Sequence, residues 1–345
     1  MVRLDYYSPL PPERTGIADY SLELLPDLER RFDIRLRAAD DGLTDDGRLP
    51  LYQMGNSPFH NWIYDALKAR PGVVVLHDWV LAQFMGQRAD FAREVSYALG
   101  AQRGRAVLMG AEPLNDPLNR RVLDLALGVI VHSEYVAALV RKEHPKLPVA
   151  VAPMPMQVWA TGRELGEAVT FGLVGQLTRS KQVGLCLRSF GRYHAQHLSA
   201  QLLLIGEPTD IDLTALLDEL PPAQRDPVFH FGYIPNLADF HATLDQADVL
   251  LNLRYPTSGE TSAAALRGLA HGRPLIVSDV GWYAELPDAV AAKLDHHNED
   301  ALLVAMEQVV ENYGRMSAAA AQHIADHHQF TQTVDQYAAL IDQLR

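Results

Sequence analysis

The segment NLRYPTSGETSAAALRGLAHGRP, residues 252–274, places arginine, hydroxyl and glycine residues between the apolar runs ADVLLNL and LIVSD. A helix that begins at Thr261 or Ser262 and ends before Gly272 would present free backbone N–H groups and a positive dipole end to a ligand. Gly259 would let that ligand approach the backbone closely. Phosphate or a ring of sugar hydroxyls suits such a junction. Helix capping alone explains an isolated TSGETS at least as well.

Two further junctions have the same chemistry. The run FGLVGQLTRSK ends a strand at Gly175 and then supplies Arg179 and Lys181, whose cations can neutralise a diphosphate. The segment PLPPERTGIADY places Gly16 where a strand passes into a helix, with Asp19 in the same helix start. Three anion-binding junctions, the first of which also contains Arg254, favour a ligand over simple capping.

Other strand ends carry groups suited to a sugar or an acceptor. His77 and Asp78 follow the run GVVVL, and Asn56 and His60 follow PLYQM. A lone histidine is more often a structural residue; for His60 the two interpretations balance, whereas the strand-end position of His77 favours function. We assign Asn56, His60, Asp78 and Asp19 to the acceptor side.

Several common enzyme motifs are absent from the sequence. No G-x-G-x-x-G follows the first strand, and neither G-x-x-x-x-G-K-[ST] nor G-x-S-x-G occurs, which argues against a dehydrogenase, a P-loop enzyme and a hydrolase. No histidine or cysteine spacing is typical of a metal site, so we predict no bound metal.

The elements that must position these residues follow a regular alternation. Six short β-branched runs in the first half and six in the second alternate with helical segments, which predicts two doubly wound parallel sheets. A chain of 345 residues is long for one core. Ligands bind beyond the carboxyl ends of such strands, so we expect two Rossmann-like α/β domains facing a deep cleft, joined through a linker at 153–168.

Composition limits the partners. The net charge is −13, and it is uneven, with 18 Lys and Arg against 20 Asp and Glu in residues 1–150 and 12 against 23 thereafter. Acidity argues against nucleic acid as a partner. Arginines in the region 88–105 leave weak peripheral membrane contact open, although a solvated helix face is the simpler interpretation. Without a signal-like or membrane-spanning run, we expect a cytoplasmic protein, or one peripheral at the inner membrane face.

These features together resemble family 4 glycosyltransferases of the GT-B fold, which are retaining enzymes. YQMGNSPFH, PGVVVLHD and VIVHSEYV are similar to the family's acceptor domain, and GLVGQLTRSK, LLLIGE and ADVLLNLRYPTSGETSAAALRGLAHGRP to its donor domain. The resemblance implies an acceptor-side domain at 1–155, a donor-binding domain at 165–315 and C-terminal helices at 316–345 that pack back on the first domain.

The resemblance also assigns individual residues. Gly16 is similar to the glycine against the donor phosphate, Lys181 to the lysine on the diphosphate and His77 to the histidine near the transferred sugar. Gly281 and Glu285 of GWYAELP match the family's GG-x-P-E segment, with Trp282 in place of its second glycine.

Two departures concern the donor. Gln176 occupies the position of the family arginine, so Arg179 is the expected substitute. Gly259 and Arg267 occupy the positions of the family's two glutamates, and Glu260 lies one place late. Arg267 follows Glu260 by seven positions, so they could share a helix face and pair.

The resemblance implies transfer of a sugar from a nucleotide-diphosphate donor to a carbohydrate, lipid-linked or small-molecule acceptor, in surface polysaccharide or glycolipid assembly. The donor is a substrate, and no cofactor is expected. Our hypothesis is that Glu260, Thr261 and Ser262 bind the sugar while Lys181 and Arg179 stabilise charge on the departing diphosphate. An inactive sugar-nucleotide-binding subunit and a GT-B-like epimerase or phosphorylase remain as alternatives.

Overall fold

The computed structural model of the chain describes residues 1–42 and 46–345. In these residues twelve strands form two parallel sheets of six, and every strand coincides with one of the apolar runs expected from the sequence. The central strands are buried on both faces, as parallel strands covered by helices must be, and this explains their continuous apolar character. Strands at the sheet edges are partly exposed.

The first sheet has the order β2-β1-β3-β4-β5-β6. Its strands are β1 (Val2–Tyr7), β2 (Phe32–Arg37), β3 (Leu49–Met54), β4 (Gly72–Leu76), β5 (Ala126–Val131) and β6 (Val149–Val151). The helices between them are α1 (Gly16–Arg31), α2 (Asn61–Ala69), α3 (Ala82–Gly86), α4 (Phe91–Leu99), α5 (Ala101–Leu108), α6 (Arg120–Leu125) and α7 (Glu134–Glu143).

The second sheet has the order β12-β11-β10-β7-β8-β9. Its strands are β7 (Thr170–Val174), β8 (Gln201–Ile205), β9 (Val228–His230), β10 (Val249–Asn252), β11 (Leu275–Ser278) and β12 (Ala291–Leu294). Its helices are α8 (Val183–His194), α9 (Leu213–Asp218), α10 (Pro222–Arg225), α11 (Leu237–Leu244), α12 (Ala263–Ala270), α13 (Glu299–Glu311) and α14 (Tyr313–His327).

The last helix, α15 (Phe330–Gln343), packs with the elements of the first sheet. The Tyr20 hydroxyl of α1 lies 2.7 Å from the Tyr337 hydroxyl of α15, and Thr333 donates to the Pro153 carbonyl at 2.7 Å. Of the C-terminal segment 316–345, α15 therefore packs with the elements of the first sheet, while α14 belongs with the second sheet.

Contacts divide the described chain into two units. The first unit comprises Met1–Pro155, Ser258–Thr261 and Phe330–Arg345, and the second comprises Met156–Thr257 and Ser262–Gln329. Each unit has its own apolar core, with the buried residues Val74 and Val129 in the first and Phe171 and Leu251 in the second.

Each sheet reverses its strand order at one place. In the first sheet β1 lies between β2 and β3, and in the second β7 lies between β8 and β10. Loops that leave neighbouring strands in opposite directions create a crevice at such a point, and ligands of open α/β sheets bind there. The loops after β1 and β3, and those after β7 and β10, are therefore the places to look for a site.

Candidate functional site

The loop after β7 places a lysine directly over a glycine. Gly175 has a φ of +87°, which a glycine adopts without the steric cost of a side chain. A short 3-10 turn, Arg179–Lys181, brings the chain back over this residue. Lys181 is only 5% exposed, its ammonium donates to the Val174 carbonyl, and its Nζ lies 2.8 Å from the position that a Cβ on Gly175 would occupy.

The loop after β10 is hydrogen-bonded to the same turn. The Tyr255 N–H donates to the Ser180 carbonyl at 2.8 Å, and the Arg254 guanidinium donates to Ser180 Oγ at 3.0 Å. Gln182 returns a bond from its side-chain amide to the Tyr255 carbonyl at 3.0 Å. The two loops at the strand-order reversal therefore form one connected structure.

Helix α12 begins beside this structure. Ser262 is its N-cap, as the sequence predicted, and Ser262 Oγ accepts from the Ala265 N–H at 3.2 Å. The Cβ of Ala264 lies 3.9 Å from the position that a Cβ on Gly175 would take, so the first turn of α12 and the Lys181 ammonium lie on either side of this glycine. The N–H groups of Ala263 and Ala264 have no acceptor in the described part of the chain. The Lys181 ammonium and the free N–H groups at the start of α12 therefore both lie beside Gly175.

We expect Ser262→Ala to lower the free energy of unfolding by about 1 kcal/mol, because the Ala265 N–H loses its acceptor at the helix start. Urea unfolding would measure this loss. Ser262→Thr keeps a hydroxyl and is the matched control, with a stability close to that of the wild type. An equal loss in both variants would contradict the capping role.

Two arginines differ in their placement. Arg254 contacts the Lys181 turn through Ser180, and its Nε lies 3.5 Å from the Tyr283 hydroxyl. Arg179 is exposed, and both its N–H and its Nε donate to Asp210, at 2.8 and 2.9 Å. Arg254 is therefore hydrogen-bonded to the turn that contains Lys181, whereas the Arg179 side chain is hydrogen-bonded to the loop after β8.

The remaining donor-side residues lie around these loops. Gly281 has a φ of +58° and opens the 3-10 turn Gly281–Glu285, and a Cβ on it would lie 3.3 Å from Thr257 Oγ1. Glu285, at the end of that turn, and Gln176, after Gly175, are exposed. Arg267 lies halfway along α12, with its guanidinium 6.0 Å from the centre of the Phe240 ring.

The sequence did not reveal the polar residues that lie around Arg254. Ser278 Oγ accepts from the Arg254 N–H at 2.8 Å and lies 2.7 Å from His297 Nε2. Tyr283, whose hydroxyl is near the guanidinium, is fully buried. Ser278 ends β11 and His297 follows β12, so their positions at strand ends were the available signal.

Residues 258–261 belong to the first unit. The Val80 N–H donates to the Ser258 carbonyl at 2.9 Å, and Gly259, with a φ of +75°, packs so that a Cβ would lie 2.5 Å from Trp79 Cβ. The Glu260 carboxylate accepts from the Ser258 N–H at 2.7 Å, and Thr261 is 8% exposed. Gly259 thus permits close packing against Trp79.

The acceptor-side residues gather around Gly55, directly after β3. A Cβ on Gly55 would lie 3.1 Å from His60 Cε1 and 3.2 Å from Asp78 Oδ2. The Asn56 N–H donates to the same Asp78 oxygen at 2.8 Å, while Asn56 Oδ1 accepts from the Phe84 N–H at 2.8 Å. Three of the four residues assigned to the acceptor side therefore share one neighbourhood.

The fourth, Asp19, is exposed in the first turn of α1, three residues after Gly16. Thr15 caps this helix, and its Oγ1 accepts from the N–H groups of Ile17 and Ala18, both at 3.1 Å. Nothing lies within 4 Å of the position of a Cβ on Gly16, so this helix start is open to a ligand.

His77 is held inside the first unit. It is 7% exposed; its Nε2 lies 2.7 Å from Gln53 Oε1 and its Nδ1 lies 3.2 Å from His132 Nε2. Burial, with a smaller contribution from His132, holds the pKa of His77 well below its ordinary value, and burial lowers the pKa of His60 to about 4. Both imidazoles are neutral at pH 7, and both ring nitrogens of His77 have partners.

In the described part of the chain, no helix is both long and apolar enough to cross a membrane. Among residues 1–42 and 46–345, no three His, Cys, Asp or Glu side chains are grouped as metal ligands. Of the arginines in the region 88–105, Arg88 is bonded to Asp65 and Asp90, both at 2.8 Å.

The second unit matches a known family. Residues 168–312 match the family model described as glycosyl transferases group 1, a range that contains Gly175, Lys181, Arg254 and helix α12. No curated protein sequence is similar enough to the chain to count as a match.

Solved structures show the fold of the whole chain. Sucrose-phosphate synthase from Thermosynechococcus elongatus superposes with a TM-score of 0.68 at 15% identity, over 100% of this chain and 99% of that one. HepE from Anabaena in complex with UDP-glucose gives 0.64 at 11% identity, over 99% and 100%. TarM gives 0.59 at 12% identity over 85% of this chain, which spans only 54% of the TarM chain.

At these identities the similarity concerns architecture, and the architecture is GT-B, with two parallel six-stranded sheets flanked by helices. The group 1 match covers the unit in which the lysine, the glycine and the helix start converge. The comparisons therefore show a GT-B fold for the chain and a match to group 1 glycosyl transferases for residues 168–312.

Proposed function

We propose that the protein is a retaining hexosyltransferase that moves a sugar from a nucleoside-diphosphate donor to an acceptor hydroxyl. The observation that carries this proposal is the convergence at Gly175, where the buried Lys181 ammonium and the first turn of α12 lie on either side of a residue without a side chain. A diphosphate is the ligand that uses both features, because it needs opposite charge and several N–H donors.

In the reaction, the bond between the sugar's anomeric carbon and the diphosphate oxygen breaks while a new bond to the acceptor oxygen forms on the same face. The acceptor's proton passes to the departing phosphate. Negative charge grows on the diphosphate as it leaves, and Lys181, Arg254 and the α12 dipole stabilise it without a metal ion. Arg254, rather than Arg179, is the second cation in this proposal, because it is bonded to the lysine turn.

UDP-glucose is the first donor to test, since HepE, a structural neighbour, was solved with it. Asp78, Asn56 and His60 are the proposed contacts of a carbohydrate, lipid-linked or small-molecule acceptor, because they surround one glycine at the end of β3. We place the reaction in surface polysaccharide or glycolipid assembly at the cytoplasmic face of the membrane. The arginines in the region 88–105 would contribute only weak contact with lipid, because Arg88 is paired with Asp65 and Asp90.

The test has two steps. A thermal-shift screen against UDP, GDP, ADP and dTDP identifies the nucleotide, because a ligand that binds only the folded state raises the melting temperature. The matching sugar nucleotide is then incubated with candidate acceptors, and NMR of the product reports the anomeric configuration. Inverted product would overturn retention.

The same assays separate the alternatives. Nucleotide binding without any turnover across the acceptor set would identify a binding subunit. Donor conversion without an acceptor, or with free phosphate, would identify an epimerase or a phosphorylase. No shift with any nucleotide would overturn the proposal itself.

A further inference from the structure

A buried chain of polar side chains crosses the first unit beneath the end of β4. Gln53 of β3 is fully buried, and His77 and His132 are 7% and 6% exposed. The Gln53 amide meets His77 Nε2, His77 Nδ1 lies 3.2 Å from His132 Nε2, and His132 Nδ1 lies 2.8 Å from the Ala152 carbonyl.

The Ala152 carbonyl fixes the direction in which the hydrogen bonds of this chain are donated. A carbonyl oxygen only accepts, so His132 Nδ1 must carry a hydrogen and donate to Ala152. A neutral His132 then has a lone pair on Nε2, which requires a hydrogen on His77 Nδ1. A neutral His77 in turn has a lone pair on Nε2, and this atom needs a donor from Gln53.

The Gln53 side chain supplies that donor if its amide NH₂, rather than its oxygen, faces His77. The two orientations of an amide are nearly indistinguishable in shape and are decided by their hydrogen bonds. With the oxygen toward His77, the buried Gln53 Nε2 has no hydrogen-bond partner. The reversed orientation places the NH₂ against His77 Nε2, so that this nitrogen donates to the imidazole.

The alternative that keeps the other amide orientation requires an imidazolium, at either His132 or His77. That imidazolium would be buried next to a second imidazole, and burial of a charge is costly. In the neutral chain each ring nitrogen of the two histidines has a hydrogen-bond partner.

We propose that Gln53 is a positioning residue that donates to His77 Nε2 and thereby keeps His77 and His132 in their Nδ1–H tautomers. The arrangement fixes the end of β4, where Asp78 follows His77 directly; its link to turnover rests on the proposed function, in which Asp78 contacts the acceptor. His77 accordingly orients this loop through its two bonded nitrogens and is not itself a sugar ligand.

NMR of the two-bond ¹⁵N–¹H couplings in histidine-labelled protein tests the tautomers directly, with His77→Asn and His132→Asn variants used for assignment. We expect both residues to be neutral with hydrogen on Nδ1 at pH 7. Hydrogen on His77 Nε2, or a doubly protonated His132, would overturn the proposal. This measurement needs no substrate, so its result is independent of whether the protein transfers sugar.

The kinetic test uses Gln53→Glu, which has almost the same shape but a carboxylate that can only accept. We expect His77 Nε2 to gain a hydrogen that the carboxylate accepts and kcat for transfer to fall about tenfold, the loss typical of one buried hydrogen bond, with donor KM unchanged. Gln102→Glu, at an exposed site on α5, is the matched control and should match the wild type. Unchanged kcat in Gln53→Glu would refute the positioning role, whereas absence of transfer in the wild type would refute the proposed function alone.

Discussion

Lys181→Ala is expected to lower kcat for sugar transfer by about a hundredfold to a thousandfold, the effect typical of removing a preorganised charge from a leaving group. Lys181 is nearly buried, and its ammonium is fixed by the Val174 carbonyl beside Gly175, so little reorganisation is needed when charge develops on the diphosphate. Steady-state kinetics with the donor found by thermal shift would measure the loss.

Two further variants separate charge from packing. Lys181→Met keeps the apolar stem and removes only the charge, so it should lose nearly as much activity as the alanine variant while melting close to the wild type. Lys293→Ala removes a lysine of the same unit whose ion pair is with the exposed Asp288, and it should leave kcat unchanged. Near-normal turnover in Lys181→Met would refute the electrostatic role.

The strands were predictable because their signal is local. Runs such as GVVVL and ADVLLNL are apolar throughout, and a parallel strand covered on both faces requires that composition. The helix start at Ser262 and the glycine at 175 were predictable for the same reason, since capping and positive φ depend on residue type at one position. Strand-end position then assigned most of the candidate residues.

Partners distant in the sequence were not predictable. Arg179 was the arginine expected on the diphosphate and Arg254 only a further donor-side residue, yet Asp210 binds the first and Ser180 the second. No sequence pattern distinguishes an arginine bonded to a loop carboxylate from one bonded to a serine. His77 likewise appeared to be a free strand-end histidine, because its partners Gln53 and His132 are 24 and 55 residues away.

The motif TSGETS shows how one segment can serve two units. Its last serine caps α12 in the second unit, whereas Ser258–Thr261 belong to the first, with Gly259 against Trp79. The glycine was predicted to admit a ligand, but its closest neighbour in the structure is the Trp79 side chain. The structure thus shows close approach of a side chain to Gly259, and close approach of a ligand stays a prediction.

Gly175→Ala is expected to lower kcat/KM for the donor by about a hundredfold, because the new methyl group would displace the Lys181 ammonium. The added Cβ would lie 2.8 Å from Nζ, closer than any ordinary contact, so the end of the Lys181 side chain would have to move away from Gly175. The φ of +87° adds strain of about 1 to 2 kcal/mol for a residue with a side chain. Nucleotide titration calorimetry would measure the loss of nucleotide affinity, and donor kinetics would measure the loss in kcat/KM.

Backbone strain can be separated from displacement of the Lys181 ammonium, because Gly110 also has a positive φ but has no side chain near the position of a Cβ. Its φ is +73°, and nothing lies within 4 Å of the position of a Cβ. Gly110→Ala should therefore lose a similar amount of stability while binding the nucleotide and turning over as the wild type does. If Gly175→Ala lost stability alone and kept its donor affinity, the diphosphate would have to bind away from Gly175. Lys181 and α12 would then stabilise the loop rather than the leaving group.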